Sequence, residues 1–337
     1  MADIVFGEFS GLNDSLFGKS IAPIKRHAAK KAEAFEKKSV LKTLFSMDTS
    51  DNWAEKETEE TGIESWDPMV ENGEIPLGGM QEGYSRTFEH IEFSKGFAIT
   101  RKMMDDIRLL KVRDVTTKLM TSYYRTRELF GHQLYIDAAL GKLESNFKGE
   151  KVPIHCADGK PLFYAEHPSL VDKKLKQCNF CSDAFSKDAL AAAESEMQNF
   201  KGYTDEEILT VVPDTIVIPN DYKTKMTVFE VIGSDKDPNS SNNGFNFLYG
   251  RWNVIVDPYL NKLIQPGATV PWFLMSSEYN QEVGGARWYD RVKGEIDAER
   301  KTNRTRLLIG YARWGAGFKD WRFIYGGGMT GGESLIG

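Results

Sequence analysis

The sequence predicts an α+β fold organised around one very long helix, and three observations carry that expectation. Residues 101 to 140 contain no proline and a single glycine, Gly131, while apolar side chains recur there at helical steps. Short β-branched and aromatic runs bounded by Pro and Gly follow from about residue 206 onward. The segments before the helix carry charge and turn residues, with too few large apolar side chains for a core of their own.

The chain has 337 residues, enough to bury a sizeable core in one large or two ordinary domains. Its 41% hydrophobic and 27% charged content is ordinary for a globular protein and excludes wholesale disorder. A net charge of -6 gives no general attraction to nucleic acid or anionic lipid. No apolar run is long enough to span a membrane as a helix. The first residues, MADIVFGEFSGLNDSLFGKS, lack the basic start and apolar core of a signal peptide, so the chain is expected to stay in a cytoplasm.

Residues 19–42 hold eight Lys/Arg against two Glu, and residues 48–60 reverse the sign with six acids against one lysine. Such a bipolar stretch suits an extended arm that borrows its partner from elsewhere. PMVENGEIPLGGMQEG, residues 68–83, is turn-like. In the following YSRTFEHIEFS, period two puts Tyr84, Arg86, Phe88 and His90 on one face and Ser85, Thr87, Glu89 and Ile91 on the other. Neither face is cleanly apolar, which suggests a hairpin projecting from the body.

Thr100 is placed to cap the long helix, with Ile107, Leu110, Val115, Leu119, Tyr123, Phe130, Leu134 and Ala138 forming its apolar stripe. Asp105 and Asp106 then fall in the first turns, where negative charge meets the positive end of the helix dipole. That explains the adjacent carboxylates without any chemistry. A second helix is expected from Ser186, its N-cap. EILTVVPDTIVIPNDY reads as two short strands split by Pro213, RWNVIVDPYL and TVPWFLMSS as further strands, and RTRLLIGYARWGAGFKDWRFIYGGG as two strands around Gly315-Ala316-Gly317. A glycine-rich tail closes the chain.

Motifs for catalysis are scarce. Cys156, Cys178 and Cys181 are too few for a disulfide framework. The spacing of Cys178 and Cys181, with His155-Cys156 upstream, makes these three cysteines the weak candidates for a zinc site, and reduced thiols in a loop the preferred reading. None of the five histidines falls in a triad-like arrangement, and His132 reads as a satisfied or exposed side chain. Trp272, Trp314 and Trp321 read as core or interface. No catalytic residue and no cofactor is expected.

This plan resembles the major capsid proteins of tailed bacteriophages with the HK97-type fold, nearest to those of phages of Gram-positive hosts. The resemblance is carried by GLNDSLFGKSIAPIK, KAEAFEKKSVLKTLF, ENGEIPLGGMQEGYSRTFEHIEFSKGFAITRKMMDD, YYRTRELFGHQLY and GFKDWRFIYGG, whose order and spacing cover nearly the whole chain. It implies an HK97-like capsid fold with an N-terminal arm at 1–65 and an extended E-loop hairpin at 66–99. A P domain with the spine helix would occupy 100–205 and a mixed α/β A domain 206–303. The P domain's return strands would take 304–327 and a flexible tail 328–337.

The implied function is that of a head protein, self-assembling into hexamers and pentamers of an icosahedral shell around a double-stranded DNA genome. The chain would belong to the virion, and to the host cytoplasm during assembly. Its partners would be copies of itself, a portal protein, a scaffolding protein, and a maturation protease or decoration protein, with the DNA confined non-specifically. Because the arm begins almost at Met1, scaffolding is expected as a separate protein, or the sequence is already mature. Tyr84, Arg86, Phe88 and Ile91 are the expected subunit-interface residues. Two alternatives remain: an encapsulin-like cargo compartment, and a zinc-dependent hydrolase built on the three cysteines with Asp105 and Asp106.

Overall fold

The computed structural model describes residues 5–6, 33–60, 82–100, 109–172, 174–203, 208–233, 246–300 and 305–329. The long helix runs Leu109–Ala139, 31 residues and about 45 Å at the usual rise. The segment with Asp105, Asp106 and Ile107 lies outside the described residues. Phe130, Leu134 and Ala138 are fully buried, as their spacing predicts. The helix stops at Gly141, whose φ of 71° opens a left-handed turn. There Gly141 N–H donates to Ala138 and Lys142 N–H to Asp137, a Schellman closure that satisfies the last carbonyls.

In chain order the strands are β1 (Val5–Phe6), β2 (Ser46–Thr49), β3 (Ala54–Glu60), β4 (Glu82–Glu89) and β5 (Ile91–Ile99). After the helix come β6 (Glu144–Phe147), β7 (Glu150–Pro153), β8 (His167–Pro168), β9 (Lys176–Gln177) and β10 (Thr215–Pro219). The last five are β11 (Asn253–Asp257), β12 (Trp272–Met275), β13 (Ala286–Arg300), β14 (Arg306–Phe318) and β15 (Ile324–Gly327).

A five-stranded sheet has the order β1-β13-β14-β5, with β2 also on β13. Its spine is the antiparallel hairpin of β13 and β14, paired from Ala286 opposite Phe318 to Arg300 opposite Arg306. The long helix packs here through aromatic side chains. Phe130 meets Trp288 edge-on at 5.6 Å, and Tyr123 meets Trp314 edge-on at 5.8 Å. A second sheet, order β11-β10-β12-β15, has every residue of β10 and β12 buried. Helix Lys187–Gln198 is capped as expected, the Ser186 hydroxyl accepting from Ala189 N–H.

Three sequence expectations are corrected. The charged arm does not rely wholly on a borrowed partner. Leu41, Leu44 and Phe45 are at most 2% exposed and enter the chain's own core. Gly131 permits this, since a Cβ there would lie 2.5 Å from Leu41 Cδ2. The glycines at 315 and 317 do not break the strand, because β14 runs through them to Phe318. Gly315 instead makes room for a crossing backbone: a Cβ would meet the Glu89 carbonyl at 2.4 Å. The break comes later, in the turn before β15. Finally, the run before Pro213 forms no strand; Ile208 makes only an isolated bridge with Lys201.

The two sheets share segments in a way the linear boundaries do not show. Residues 206–303 supply β10, β11 and β12 to one sheet and β13 to the other. Residues 304–327 likewise divide, β14 joining the five-stranded sheet and β15 the four-stranded one.

Candidate assembly interface

Strands β3 and β4 form an antiparallel pair, Ala54 opposite Glu89 through Thr58 opposite Ser85, with an irregularity before Glu60 opposite Glu82. The sequence between them, 61–81, holds the first part of the expected E-loop, 66–81, and lies outside the described residues. The period-two reading of β4 holds: Arg86, Phe88 and His90 are buried, while Ser85, Thr87 and Glu89 are exposed. The expectation that this face lacks a core does not hold. Phe88 is 3% exposed, its ring 5.6 Å from that of Tyr289 in the same chain.

Arg86 points the same way. Its guanidinium donates to the Pro153 carbonyl at 2.7 Å and contacts His155 Nδ1 at 2.9 Å. Burial holds its pKa below the ordinary guanidinium value. Tyr84 and Ile91 are half-buried, Ile91 packing against the main core. Of the four expected interface residues, Arg86 and Phe88 therefore already have partners inside their own subunit.

Acids that sequence reasoning passed over root the hairpin. Glu55, Glu57 and Glu59 alternate along β3. The Glu55 carboxylate accepts from Ser50 at 2.6 Å and Asn52 at 3.0 Å. Glu57 lies between Arg287 Nε at 2.8 Å and Lys319 Nζ at 3.0 Å, and also accepts from the Tyr289 hydroxyl. Glu59 accepts from the Tyr203 hydroxyl. The period of two in these acids was visible in the sequence. The cations of Glu57, far along the chain, were not.

The other chemically suggestive groups are structural ties. His132 is buried, with Nε2 2.6 Å from Asp257 Oδ2 and its ring 4.5 Å from that of Tyr259. Burial alone would lower its pKa; the Asp257 hydrogen bond and charge outweigh this and raise it. The pair joins the long helix to the end of β11. His167 pairs with Asp158 at 2.6 Å and stacks on Trp321 at 4.3 Å. Cys156 is buried, Cys178 and Cys181 half-buried, and burial pushes all three thiols up, against the thiolate that zinc takes. Among the described residues no three His, Cys, Asp or Glu side chains are grouped to hold a metal.

What the surface offers instead is apolar. On helix Tyr222–Ile232, Tyr222, Met226 and Phe229 are 71%, 45% and 53% exposed. They sit at i, i+4 and i+7, one stripe of the helix. Large exposed side chains in a row mark a surface meant to be covered.

A comparison with known families identifies the family of the chain. The profile of the phage capsid protein family matches residues 84–326, most of the chain. The chain belongs to the phage capsid protein family. No curated protein sequence matches this capsid protein. Among solved structures it is similar to a chain of Mycobacterium phage Patience, at 13% identity and a TM-score of 0.50, covering 96% of this chain and 90% of that one. It is also similar to the capsid structure of the Cyanophage P-SCSP1u, at 9% identity and a TM-score of 0.52, covering 86% and 87%. At such identities the likeness is one of fold, and the fold is the HK97-like one that the capsid sequence resembles.

Proposed function

We propose that this capsid protein assembles with copies of itself into hexamers and pentamers of an icosahedral shell around double-stranded DNA. In this reading its role is structural rather than catalytic, it works in the virion, and it assembles in the host cytoplasm. The E-loop is residues 66–99, and the long helix is the spine of the P domain. Portal and scaffolding proteins, with a maturation protease or decoration protein, are its partners.

The observation that carries this reading is the hairpin root. Strands β3 and β4 are fastened to the body by Glu57, Arg86 and Phe88, which gives the hairpin a rigid base. A rigid base aims a reaching segment at a neighbour, and repeated weak contacts then add up around a ring. The apolar stripe at Tyr222, Met226 and Phe229 supports self-association from another face. Individually weak contacts also let misplaced subunits leave before the shell closes.

Arg86 and Phe88 are thus part of the mounting, and Tyr84 and Ile91 remain candidates at its edge. The test replaces residues 62–80 with a short Gly-Ser linker and leaves β3 and β4 intact. The variant is expected to be folded and soluble but unable to form regular shells in electron micrographs. Closed particles of wild-type size from that variant would remove the E-loop from the proposal.

A further inference from the structure

Among the described residues the most exposed large apolar side chain is Trp53, 73% exposed in the turn between β2 and β3. That turn is held on both sides of the indole. Ser50 N–H donates to the Asp290 carbonyl at 3.1 Å. The Ser50 hydroxyl and the Asn52 side-chain amide both donate to Glu55 Oε1, at 2.6 and 3.0 Å. Asn52 N–H donates to the Ser50 hydroxyl at 3.2 Å. The backbone that carries the ring is thus fixed before any partner arrives, so little ordering remains when the ring is covered. Beside it Asp51 is fully exposed, its ion pair with Arg291 a loose 3.6 Å.

The same chain carries an unfilled slot. A cavity of about 430 Å³ opens between the long helix and the five-stranded sheet. Phe93, Leu119, Met120 and Phe147 wall it, and Gly310 and Ala312 of β14 line it with the smallest side chains available. Met120, Phe147 and Ala312 are buried, so the gap reaches into the packed body. Protein interiors leave few voids larger than a water molecule, and a gap of this size is ample for a side chain from elsewhere. Its polar lining offers both charges. Lys95 and Lys148 have no carboxylate partner among the described residues, and Glu92, Glu150 and Glu295 are acceptors for an N–H donor. Trp53 does not line this slot in its own chain.

We propose that Trp53 of one copy inserts into this slot of a second copy, with Asp51 brought beside the slot's lysines. The inference rests on the self-assembly reading above and gives that reading a specific contact. An indole suits the slot because it combines an apolar ring for the walls with one N–H donor for a carboxylate. The exposed aromatics of helix Tyr222–Ile232 form a row, which suits a flat face; Trp53 is a single knob on a turn, which suits a hole. Knob and slot are different surfaces of the chain, so the contact runs head to tail. Contacts of that kind close into rings when the rotation between copies allows it.

Because Trp53 is exposed in the subunit, Trp53→Ala is expected to leave the unfolding midpoint of the unassembled chain unchanged. Assembly is expected to need a concentration about tenfold higher or more, as when a central tryptophan is removed from an interface. Gly310→Leu fills the slot from within and is expected to raise that concentration in the same way. Gly310→Ala is its control and is expected to change nothing, since a Cβ there meets no atom closer than the Lys95 carbonyl at 3.6 Å. Both changes act on one contact, so the double variant Trp53→Ala with Gly310→Leu is expected to assemble no worse than the weaker single variant.

Photocrosslinking tests the contact directly and does not depend on how well Gly310→Leu folds. A full-length chain with a benzophenone amino acid at position 53 is co-assembled, as a minor unlabelled fraction, with isotope-labelled unaltered chain. After irradiation, mass spectrometry is expected to find the unlabelled peptide around position 53 joined to a labelled peptide at Met120 or Leu119. Crosslinks within one chain, or to a surface away from the slot, overturn the contact. A slot occupied by residues 7–32 of the same chain would leave Met120 uncrosslinked and overturns it as well. If Trp53→Ala forms closed particles at the same concentration as the unaltered chain, this contact fails while the shell reading stands. If the unaltered chain forms no particles, both fail.

Discussion

Replacing Phe88 by alanine separates two roles for the hairpin. If Phe88 is kept for a neighbouring subunit, the change leaves the free subunit as stable as before and harms assembly alone. If its partner is Tyr289 of the same chain, the free subunit is destabilised directly. The ring is 3% exposed, its centroid lies 5.6 Å from Tyr289, and the Arg86 guanidinium sits over it at 5.8 Å. A Cβ on Gly317 would come within 3.1 Å of the ring edge, so the far side is closed by backbone.

Losing the burial of such a side chain costs about 1.5–3 kcal/mol. Losing the aromatic pair adds about 0.5–1.5 kcal/mol. Closure by the β14 backbone limits collapse into the gap, which places the expected loss at about 3–4 kcal/mol, within the usual range for Phe→Ala in a core. Urea unfolding of the unassembled subunit, followed by tryptophan fluorescence, measures it. With a slope of about 3 kcal/mol/M the midpoint falls by about 1 M. A loss below about 1 kcal/mol, with the slope unchanged, would refute the docked hairpin.

Further tests probe the remaining ties. His132→Leu leaves Asp257 as an unpaired buried carboxylate and is expected to destabilise by about 3–5 kcal/mol in the same assay. Because the His132 pKa is raised in the folded chain, its contribution is fully present below the free value of 6.5 and is lost as pH rises through the folded one. The wild type, but not His132→Leu, should therefore lose stability over that window in pH-dependent melts. Gly315→Ala drives a methyl against the Glu89 carbonyl and is expected to cost about 1–3 kcal/mol, whereas a glycine serving only as a breaker would tolerate it. Metal analysis of purified protein is expected to find no stoichiometric zinc; about one zinc per chain, with unfolding on chelation, would restore the cysteine site.

Features set by neighbours in sequence were legible. The apolar steps of Phe130, Leu134 and Ala138, the Ser186 cap and the alternation of Arg86, Phe88 and His90 each follow from a local period or a single cap. What they pack against was not legible. Phe88 finds Tyr289, Glu57 finds Arg287 and Lys319, and Leu41 finds the gap left by Gly131; each partner is distant along the chain. The glycines of β14 read as a break because the sequence shows missing side chains and not the crossing strand that requires their absence. The hairpin faces looked coreless for the same reason, since an arginine on an otherwise apolar face becomes acceptable only once Pro153 and His155 are placed beside it.

Electron microscopy of the expressed protein, alone and with scaffolding protein, tests the central claim most directly. Closed icosahedral particles are expected, in which hexamers and pentamers are resolved and residues 61–81 of each subunit lie across a neighbour. Particles in which that segment folds back on its own subunit, or a chain that stays unassembled with scaffolding present, would contradict the claim.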